Sequence, residues 1–359
     1  MRQSTTKIYD HDMHGPLAFD KTPWIQRSNK AASEVPVLLL HNLDRSWSEA
    51  ELQEVLTAAE KLEAALGQAG HPVTSLAIYR DVEAVLKDFT PSRYIVFNWC
   101  DGLEGDPKAE HLVPQALEAL GFTYTGAEAK TLLISQDKRQ IKRALQTRGI
   151  PTPWGRVFHR PEVEGWDRFP AIVKPVAEHC SFGITREAVV DSPQELERQI
   201  ACVLETFREP ALVEDFIDGR EFHVAVWGNG HPHMLPLAEM DFSAFDDIHD
   251  RLCTFESKWD QQSLPYRLIR TLCPAPVDDE LKARIEAVAI AAYHALGCRD
   301  YGRMDIRVRD NVPYVLDVNP NPDICDDGSF ALAAEVAGYS YADMASHIVF
   351  LAVVRHRFT

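Results

Sequence analysis

The chain has 359 residues, of which 45% are hydrophobic and 25% are charged, and these proportions are typical of a globular protein rather than a disordered one. Its formal charge of −17 argues against sequence-independent binding to nucleic acid or to anionic membranes, because both require a basic surface. The 7 cysteines are odd in number and form no C-x-x-C pair, which argues against a disulfide scaffold and a structural zinc site.

The N-terminus is expected to form an extended arm. Residues 1–34 are polar, contain Pro16 and Pro23, and follow no helical or strand period. They lack the apolar core of a signal peptide, and no run of about 18 apolar residues predicts a membrane-spanning helix elsewhere. We therefore expect a soluble, cytoplasmic protein. His11 and His14 fit a solvated tail better than half of a metal site.

Residues 35–130 predict an open α/β domain with a mainly parallel sheet. Strands are expected at 35–41, 73–78 and 94–98, and helices at 48–67, 82–88 and 111–120. Ser48 and Glu51 form a capping box that marks the start of the first helix. In such sheets ligands bind beyond the carboxyl ends of the strands. Here those ends carry residues 41–44 and 98–102.

Two further segments, 131–230 and 231–359, continue the α/β pattern. In the first, helices are expected at 137–148 and 192–207, and strands at 170–175, 185–190, 211–215 and 221–227. In the second, helices are expected at 278–296, 330–337 and 341–354, and strands at 303–308 and 312–318. Residues 241–265 have few apolar anchors, so we expect a long loop that acts as a lid.

The strongest chemical signal is the hairpin predicted from the last two strands. Because residues two apart in a strand share a face, Arg303 and Asp305 should point the same way, and so should Asp317 and Asn319. The residues expected to face the core instead are Met304, Ile306, Leu316 and Val318. Two carboxylates and an amide oxygen are ligands suited to Mg²⁺, and an arginine suits a transferring phosphoryl group. The alternative is a structural hairpin with surface ion pairs.

Lysines and a polar loop form a second signal. Lys138 is on a predicted helix, Lys174 ends an apolar strand, and Lys258 is in the long loop. Phosphate binding would explain a lysine at the end of an apolar strand. The loop 176–184 contains Ser181 and could lie over phosphates through its backbone N–H groups. Each lysine alone is also explained as a solvated surface residue.

A third signal is the apolar strand 211–215, which runs into a polar link containing a glycine. Backbone groups there could bind a flat heterocycle, and Glu221 could accept hydrogen bonds from ribose hydroxyls. An ordinary strand–turn–strand connection explains the same residues equally well.

Eight motifs in order resemble one family. They are DK (137–138), IVKP (172–175), Ser-x-Gly (181–183), VED (213–215), GREF (219–222), SK (257–258), YGRMDIRV (301–308) and VLDVNPNP (315–322). This series resembles the ATP-grasp superfamily and, within it, the D-alanine–D-alanine ligase group. The resemblance covers residues 35–355. It implies an ATP-grasp fold, with 35–130 as the N-terminal substrate-side domain and with 131–230 and 231–359 as the central and C-terminal ATP-grasp subdomains.

The resemblance also implies a role for each matched residue. Lys138 and Lys174 would contact the phosphates and the adenine side of ATP, and the Ser181 loop would close over the phosphates. Glu221 would hold the ribose, Lys258 would reach the γ-phosphate, and Arg303 would stabilise the acyl phosphate. The adenine hinge would be Glu214, Asp215, Phe216 and Ile217. The ligands of two Mg²⁺ ions, with Mn²⁺ as an alternative, would be Asp305, Asp317 and Asn319.

The implied activity is an ATP-dependent carboxylate–amine ligase that forms an amide or dipeptide bond through an acyl phosphate. Its partners would be a small carboxylate and an amino-acid-like amine, and its implied assembly is a homodimer. The family glycine after the metal-binding asparagine falls on Asp323, and a family serine falls on Gly328. We therefore expect substrates other than D-alanine, in a pocket lined by Cys325, Asp326 and Asp327 that favours a positive group. The alternatives are D-alanine–D-alanine ligase, an ATP-binding protein without ligase activity, and a phosphotransferase that releases a stable phosphorylated product.

Overall fold

A computed structural model describes residues 35–179 and 181–357, so the predicted arm 1–34 lies outside the described residues. Within those ranges, helices run over Glu49–Gln68, Val82–Leu86, Leu112–Leu120, Ala129–Ser135, Lys138–Gln146, Pro193–Phe207, Phe255–Trp259, Leu264–Leu268, Asp279–Leu296, Ser329–Val336 and Tyr341–Arg357. None of these helices is long and apolar enough to cross a membrane.

The first sheet is parallel and confirms the predicted open α/β domain. Its strands are β1 (Val37–Asn42), β2 (Val73–Ile78), β3 (Ile95–Trp99) and β4 (Thr123–Tyr124), in the order β2-β1-β3-β4. The apolar run in β1 is buried on both faces: Leu38 and Leu40 pack on one side, and Leu39 packs on the other. The capping box of Ser48 and Glu51 is present at the start of the first helix.

The second sheet is antiparallel. It contains β5 (Gly155–Phe158), β6 (Ala171–Pro175), β7 (Val189–Val190) and β8 (Ala211–Asp215), in the order β5-β8-β6-β7. The helix Pro193–Phe207 covers one face through its buried apolar stripe. The prediction of a strand over 185–190 is wrong for the first half of that range, because residues 186–188 form a 3₁₀ turn. There Arg186 pairs with Asp247 and Asp250 instead of joining the sheet.

The third sheet is also antiparallel. It contains β9 (Arg220–Trp227), β10 (His233–Met234), β11 (Ala238–Asp241), β12 (Arg270–Leu272), β13 (Tyr301–Arg309) and β14 (Val312–Asn319). Its order is β12-β11-β9-β13-β14, with β10 paired to β9. The helix Asp279–Leu296 packs on Met304, Ile306 and Val318. The two C-terminal helices share a second core with β1 and β3 of the first sheet, which joins the first and third sheets.

The predicted lid is more ordered than a loop. Residues 241–265 contain the helix Phe255–Trp259 and the start of the helix Leu264–Leu268. Thr254 and Ser263 cap these helices by accepting hydrogen bonds from backbone N–H groups three residues on. The prediction of a long loop is therefore wrong for these residues, since two capped helices and the buried side chains of Phe242 and Leu252 order the segment.

The hairpin between β13 and β14 has the expected turn but an unexpected register. Asp310 and Asn311 have φ values of 52° and 59°, as a tight two-residue turn requires. Asp305 stands opposite Asp317, but Ile306 stands opposite Val315, so Leu316 is an extra residue on β14. This bulge turns Leu316 toward the pocket described below. The prediction that Leu316 faces the core is therefore wrong, and Val315 is buried in the core instead.

Candidate active site

A pocket lies between the second and third sheets and gathers most of the predicted site residues. Its polar lining includes Lys138, Lys174, Ser181, Glu214, Asp215, Glu221, Lys258, Asp305 and Asp317. Its apolar lining includes Ile172, Phe216, Ile217, Leu252 and Leu316. Arg303 and Asn319 are outside this lining but bond directly to Asp305. A single cavity therefore combines apolar side chains, which suit a flat ring, with charged ones.

The charged side chains of the third sheet lie together because three of its strands are paired. On β13, Arg303, Asp305 and Arg307 alternate onto one face. The register places Asp305 opposite His223 on β9 and opposite Asp317 on β14. Neighbouring strands therefore present a row of charged and polar side chains side by side.

Arg303 holds Asp305 from within the same strand. Its Nε and Nη2 atoms lie 2.7 and 3.0 Å from the two carboxylate oxygens of Asp305. Burial alone would raise the pKa of Asp305, but Arg303 outweighs it and holds that pKa well below the usual range. The Asn319 amide also donates to Asp305 over 3.2 Å. Asp305 is therefore ionised at neutral pH.

The predicted hinge at the end of β8 is a buried ion cluster. Glu214 is 1% exposed and pairs with Lys142 and, over 2.9 Å, with Lys174. Lys142 was missed from the sequence, although its position one helical turn after Lys138 was the available signal. The backbone N–H groups of Asp215 and Phe216 donate to the carbonyls of Trp154 and Pro170. These bonds hold the hinge rigidly against the neighbouring strands.

Lys138 faces the loop 176–184 and donates to the carbonyl oxygen of Glu178. Burial is the main cause that lowers its pKa. Ser181 donates to the carbonyl oxygen of Cys253 over 2.7 Å, and the rings of Phe182 and Phe255 lie 4.8 Å apart. The loop therefore already touches the segment that carries Lys258.

Glu221 is buried and pairs with Arg307, whose Nε atom is 2.7 Å from Glu221 Oε2. Arg307 is 3% exposed and also donates to the carbonyl oxygen of Ile217. His223 is the next residue of β9 on the same face, and burial lowers its pKa to about 4, so the imidazole is neutral. The sequence reading missed Arg307 and His223, although strict alternation along β13 and β9 would have indicated both.

A second group of carboxyl groups lies where the first sheet meets the third. Burial and the nearby Asp101 raise the pKa of Glu110 to about 8, against a hydrogen bond from Asn321 that lowers it. Asp323 acts electrostatically on both Asp101 and Arg303. Of the residues expected to line this side, Asp326 is 2.9 Å from Lys61 in an exposed ion pair. Asp323 is therefore an acidic neighbour of Arg303.

Three comparisons place this geometry among known proteins. A family model described as the C-terminus of D-ala D-ala ligase matches residues 156–350. The chain is 31% identical over 306 residues to uncharacterized protein y4sG of Sinorhizobium fredii, covering 83% of this chain and 88% of that protein. It is 30% identical over 308 residues to a D-alanine–D-alanine ligase of Erythrobacter litoralis, with coverages of 83% and 88%.

A solved structure shares the fold. The D-alanine–D-alanine ligase from Bacillus anthracis, crystallised with ATP, superposes with a TM-score of 0.68 at 22% identity. The match covers 90% of this chain and 99% of that one. The fold expected from the motif series, an ATP-grasp fold with an N-terminal open α/β domain, is thereby confirmed.

Proposed function

Since this chain belongs to the D-alanine–D-alanine ligase family of ATP-grasp proteins, we propose that it is an ATP-dependent carboxylate–amine ligase. It would form an amide or dipeptide bond through an acyl phosphate. The observation that carries the proposal is the pair of Asp305 and Asp317, which stand opposite each other in a pocket that is also lined by apolar side chains. This combination suits a nucleotide whose base is buried and whose phosphates meet charged groups.

In the proposed complex the adenine lies against Phe216, Ile217 and Leu316, beside the rigid hinge at Glu214 and Asp215. Glu221 accepts hydrogen bonds from the ribose. Lys138 and Lys174 reach the phosphates from the second sheet, and Lys258 reaches the γ-phosphate from its short helix. Lys138 and Lys174 now contact oxygen atoms of the protein, and phosphate oxygens would compete for the same N–H donors.

The residues present fit Mg²⁺. Asp305 and Asp317 stand directly opposite each other on adjacent strands, where like charges repel unless a cation lies between them. Asn319 is the cross-strand neighbour of Arg303 and adds an amide oxygen, so the donor set is the hard-oxygen set that Mg²⁺ prefers. We propose Asp305, Asp317 and Asn319 as ligands of two Mg²⁺ ions, with Mn²⁺ as a substitute. When bound, Mg²⁺ supplies neutralisation of the charge on the phosphate oxygens.

The protein's own part in the reaction is positioning, charge stabilisation and exclusion of water. Arg303 would stabilise the negative charge that develops as the carboxylate is phosphorylated and the amine attacks. The loop around Ser181 and the segment around Lys258 would cover the phosphates, because water would otherwise hydrolyse the acyl phosphate.

The substrate pair is proposed to differ from two D-alanines and to include a cationic group. Asp101 and Asp323 form an acidic wall next to Arg303, and Asp323 stands where the family has a glycine. A carboxylate wall would favour a substrate with an amine or guanidinium away from its reacting end. D-Alanine–D-alanine ligase is the second candidate, since several similar proteins have that name.

ADP release with Mg²⁺ and ATP tests the proposal, with L- and D-amino acids offered singly and in pairs. Hydroxylamine in the assay traps any acyl phosphate as a hydroxamate. We expect turnover with one carboxylate, faster when a cationic amino acid is its partner. Turnover with D-alanine alone would refute the proposed substrate class but not the ligase activity. ATP binding without ADP release across the panel would refute the ligase activity itself.

A further inference from the structure

Three side chains of different chemistry converge beside the charged row. Glu221 and His223 are two residues apart on β9, and Cys253 comes from the segment before the helix Phe255–Trp259. One donor atom from each lies within 4.8 Å of the other two, and Glu221 and His223 are buried. A carboxylate oxygen, an imidazole nitrogen and a sulfur atom therefore meet at one point, although Cys253 is 30 positions from His223.

The second atoms of Glu221 and His223 are already held by other groups. Glu221 Oε2 pairs with Arg307 Nε over 2.7 Å, and His223 Nδ1 is 3.3 Å from Ser329 Oγ. Glu221 Oε1 and His223 Nε2 are left facing each other at 3.9 Å. Metal-binding histidines and carboxylates are typically oriented in this way by a partner on their second atom.

We propose that Glu221, His223 and Cys253 bind one zinc ion through Oε1, Nε2 and Sγ. The donor set decides the choice of metal: thiolate and imidazole ligands favour zinc, whereas Mg²⁺ takes oxygen ligands. Three protein ligands leave a fourth tetrahedral position for water or a bound molecule.

Zinc at this cluster would exclude ATP, an expectation that rests on the proposed function. Glu221 is the proposed acceptor for the ribose hydroxyls, and a carboxylate oxygen bound to zinc is no longer available to them. Micromolar zinc would then inhibit the enzyme by competing with the nucleotide. Lys258 lies close enough to act electrostatically on His223 and Cys253, so its positive charge opposes the metal. The Lys258→Met variant should therefore bind zinc more tightly.

Cobalt(II) as a probe tests the site without any nucleotide. Co²⁺ is titrated alone into the metal-free full chain, and the expected result is a thiolate-to-cobalt charge-transfer band that saturates at one equivalent and disappears when Zn²⁺ is added. Cys253→Ser should remove the band, and His223→Gln should weaken Co²⁺ binding. Ser329→Ala, which changes only the orienting contact, should weaken binding by roughly 10- to 100-fold. Cys202→Ser is the matched control, because Cys202 is an exposed thiol outside the cluster, and it should keep the band.

The possible results separate the zinc site from the proposed function. No charge-transfer band in the unaltered chain, or a band that persists in Cys253→Ser, would overturn the zinc site whatever the enzyme does. Saturating Mg²⁺ and ATP should weaken Zn²⁺ binding, and Mg²⁺ alone should not. Unchanged Zn²⁺ affinity with ATP bound would overturn the competition. The ADP release assay without zinc tests the ligase activity independently.

Discussion

The ion cluster at Glu214 makes a quantitative prediction about stability. Its carboxylate is 1% exposed and is held by Lys142 and Lys174. Burial alone would raise the pKa of Glu214, but the two lysines outweigh it and lower the pKa to about 2 from an ordinary 4.5. At about 1.4 kcal/mol per pH unit, this difference is equivalent to about 3 kcal/mol of stability at neutral pH.

The perturbation is Glu214→Gln, which keeps the side-chain shape and removes the charge. It leaves two poorly exposed lysines without their shared partner, and losses of about 3–5 kcal/mol are typical when one partner of a buried pair is removed. Because the pKa of Glu214 is lower in the folded state, its stabilising effect is fully present above pH 4.5 and is lost as the pH falls toward 2. The difference between variant and parent should follow this course.

The assay is urea unfolding of both proteins, followed by fluorescence, at a series of pH values. We expect the variant to be about 3 kcal/mol less stable at neutral pH, with the difference shrinking below pH 4.5. The matched control is Glu280→Gln, because the Glu280–Arg284 pair is exposed and should cost no more than about 0.5 kcal/mol. A loss that is the same at every pH, or no larger than that of the control, would refute the reasoning.

Three further predictions follow from other parts of the molecule. Asp317→Asn should slow ADP release by roughly 100-fold or more, because it weakens charge stabilisation. Asp310→Asn, at the turn of the same hairpin, is the control and should leave the rate unchanged. Steady-state kinetics compares the two variants, and equal rates would contradict the proposed site. Glu110→Gln should stabilise the protein more at pH 8 than at pH 5. The pKa of Glu110 is raised from 4.5 to about 8 in the folded state, so between these pH values the unfolded chain loses the proton while the folded chain keeps it, and stability falls as the pH rises. Unfolding curves at both pH values measure this, and a pH-independent effect would count against it. Gly219→Ala should destabilise the protein by about 1–3 kcal/mol or more, since the added Cβ would lie 1.9 Å from a backbone carbonyl oxygen of β13. Gly67→Ala is the control, because a Cβ there would have nothing within 4 Å. Thermal unfolding compares the two variants, and Gly67→Ala should not destabilise the protein.

Much of the site could be predicted from the sequence because side chains alternate between the two faces of a strand. Arg303 and Asp305 share a face, as do Asp317 and Asn319, and the turn residues between the strands forced these pairs side by side. The structure then showed which carboxyl groups have an arginine partner and which do not. Asp305 is matched by Arg303, whereas Glu110 has no arginine partner among the ion pairs of the described ranges, and burial raises its pKa to about 8.

Other features depended on a single residue of register. The bulge at Leu316 follows from how β14 pairs with β13, and nothing in the alternating sequence marks where one residue is skipped. The 3₁₀ turn at 186–188 likewise interrupts the predicted strand, and Arg186 in this turn pairs with Asp247 and Asp250 far along the chain. Local pattern predicts a strand in each case, and contacts from elsewhere decide its course.

The sequence by itself determined the α/β class, the capping box at Ser48, the charged hairpin and most of the predicted site residues that line the pocket. These depend on periodicity and on local turn chemistry, which a short stretch of chain carries within itself. Only the tertiary structure decided that Lys142 shares Glu214 with Lys174 and that Cys253 meets Glu221 and His223. Such contacts join residues that are distant in the chain, and their geometry exists only after the sheets have packed against one another.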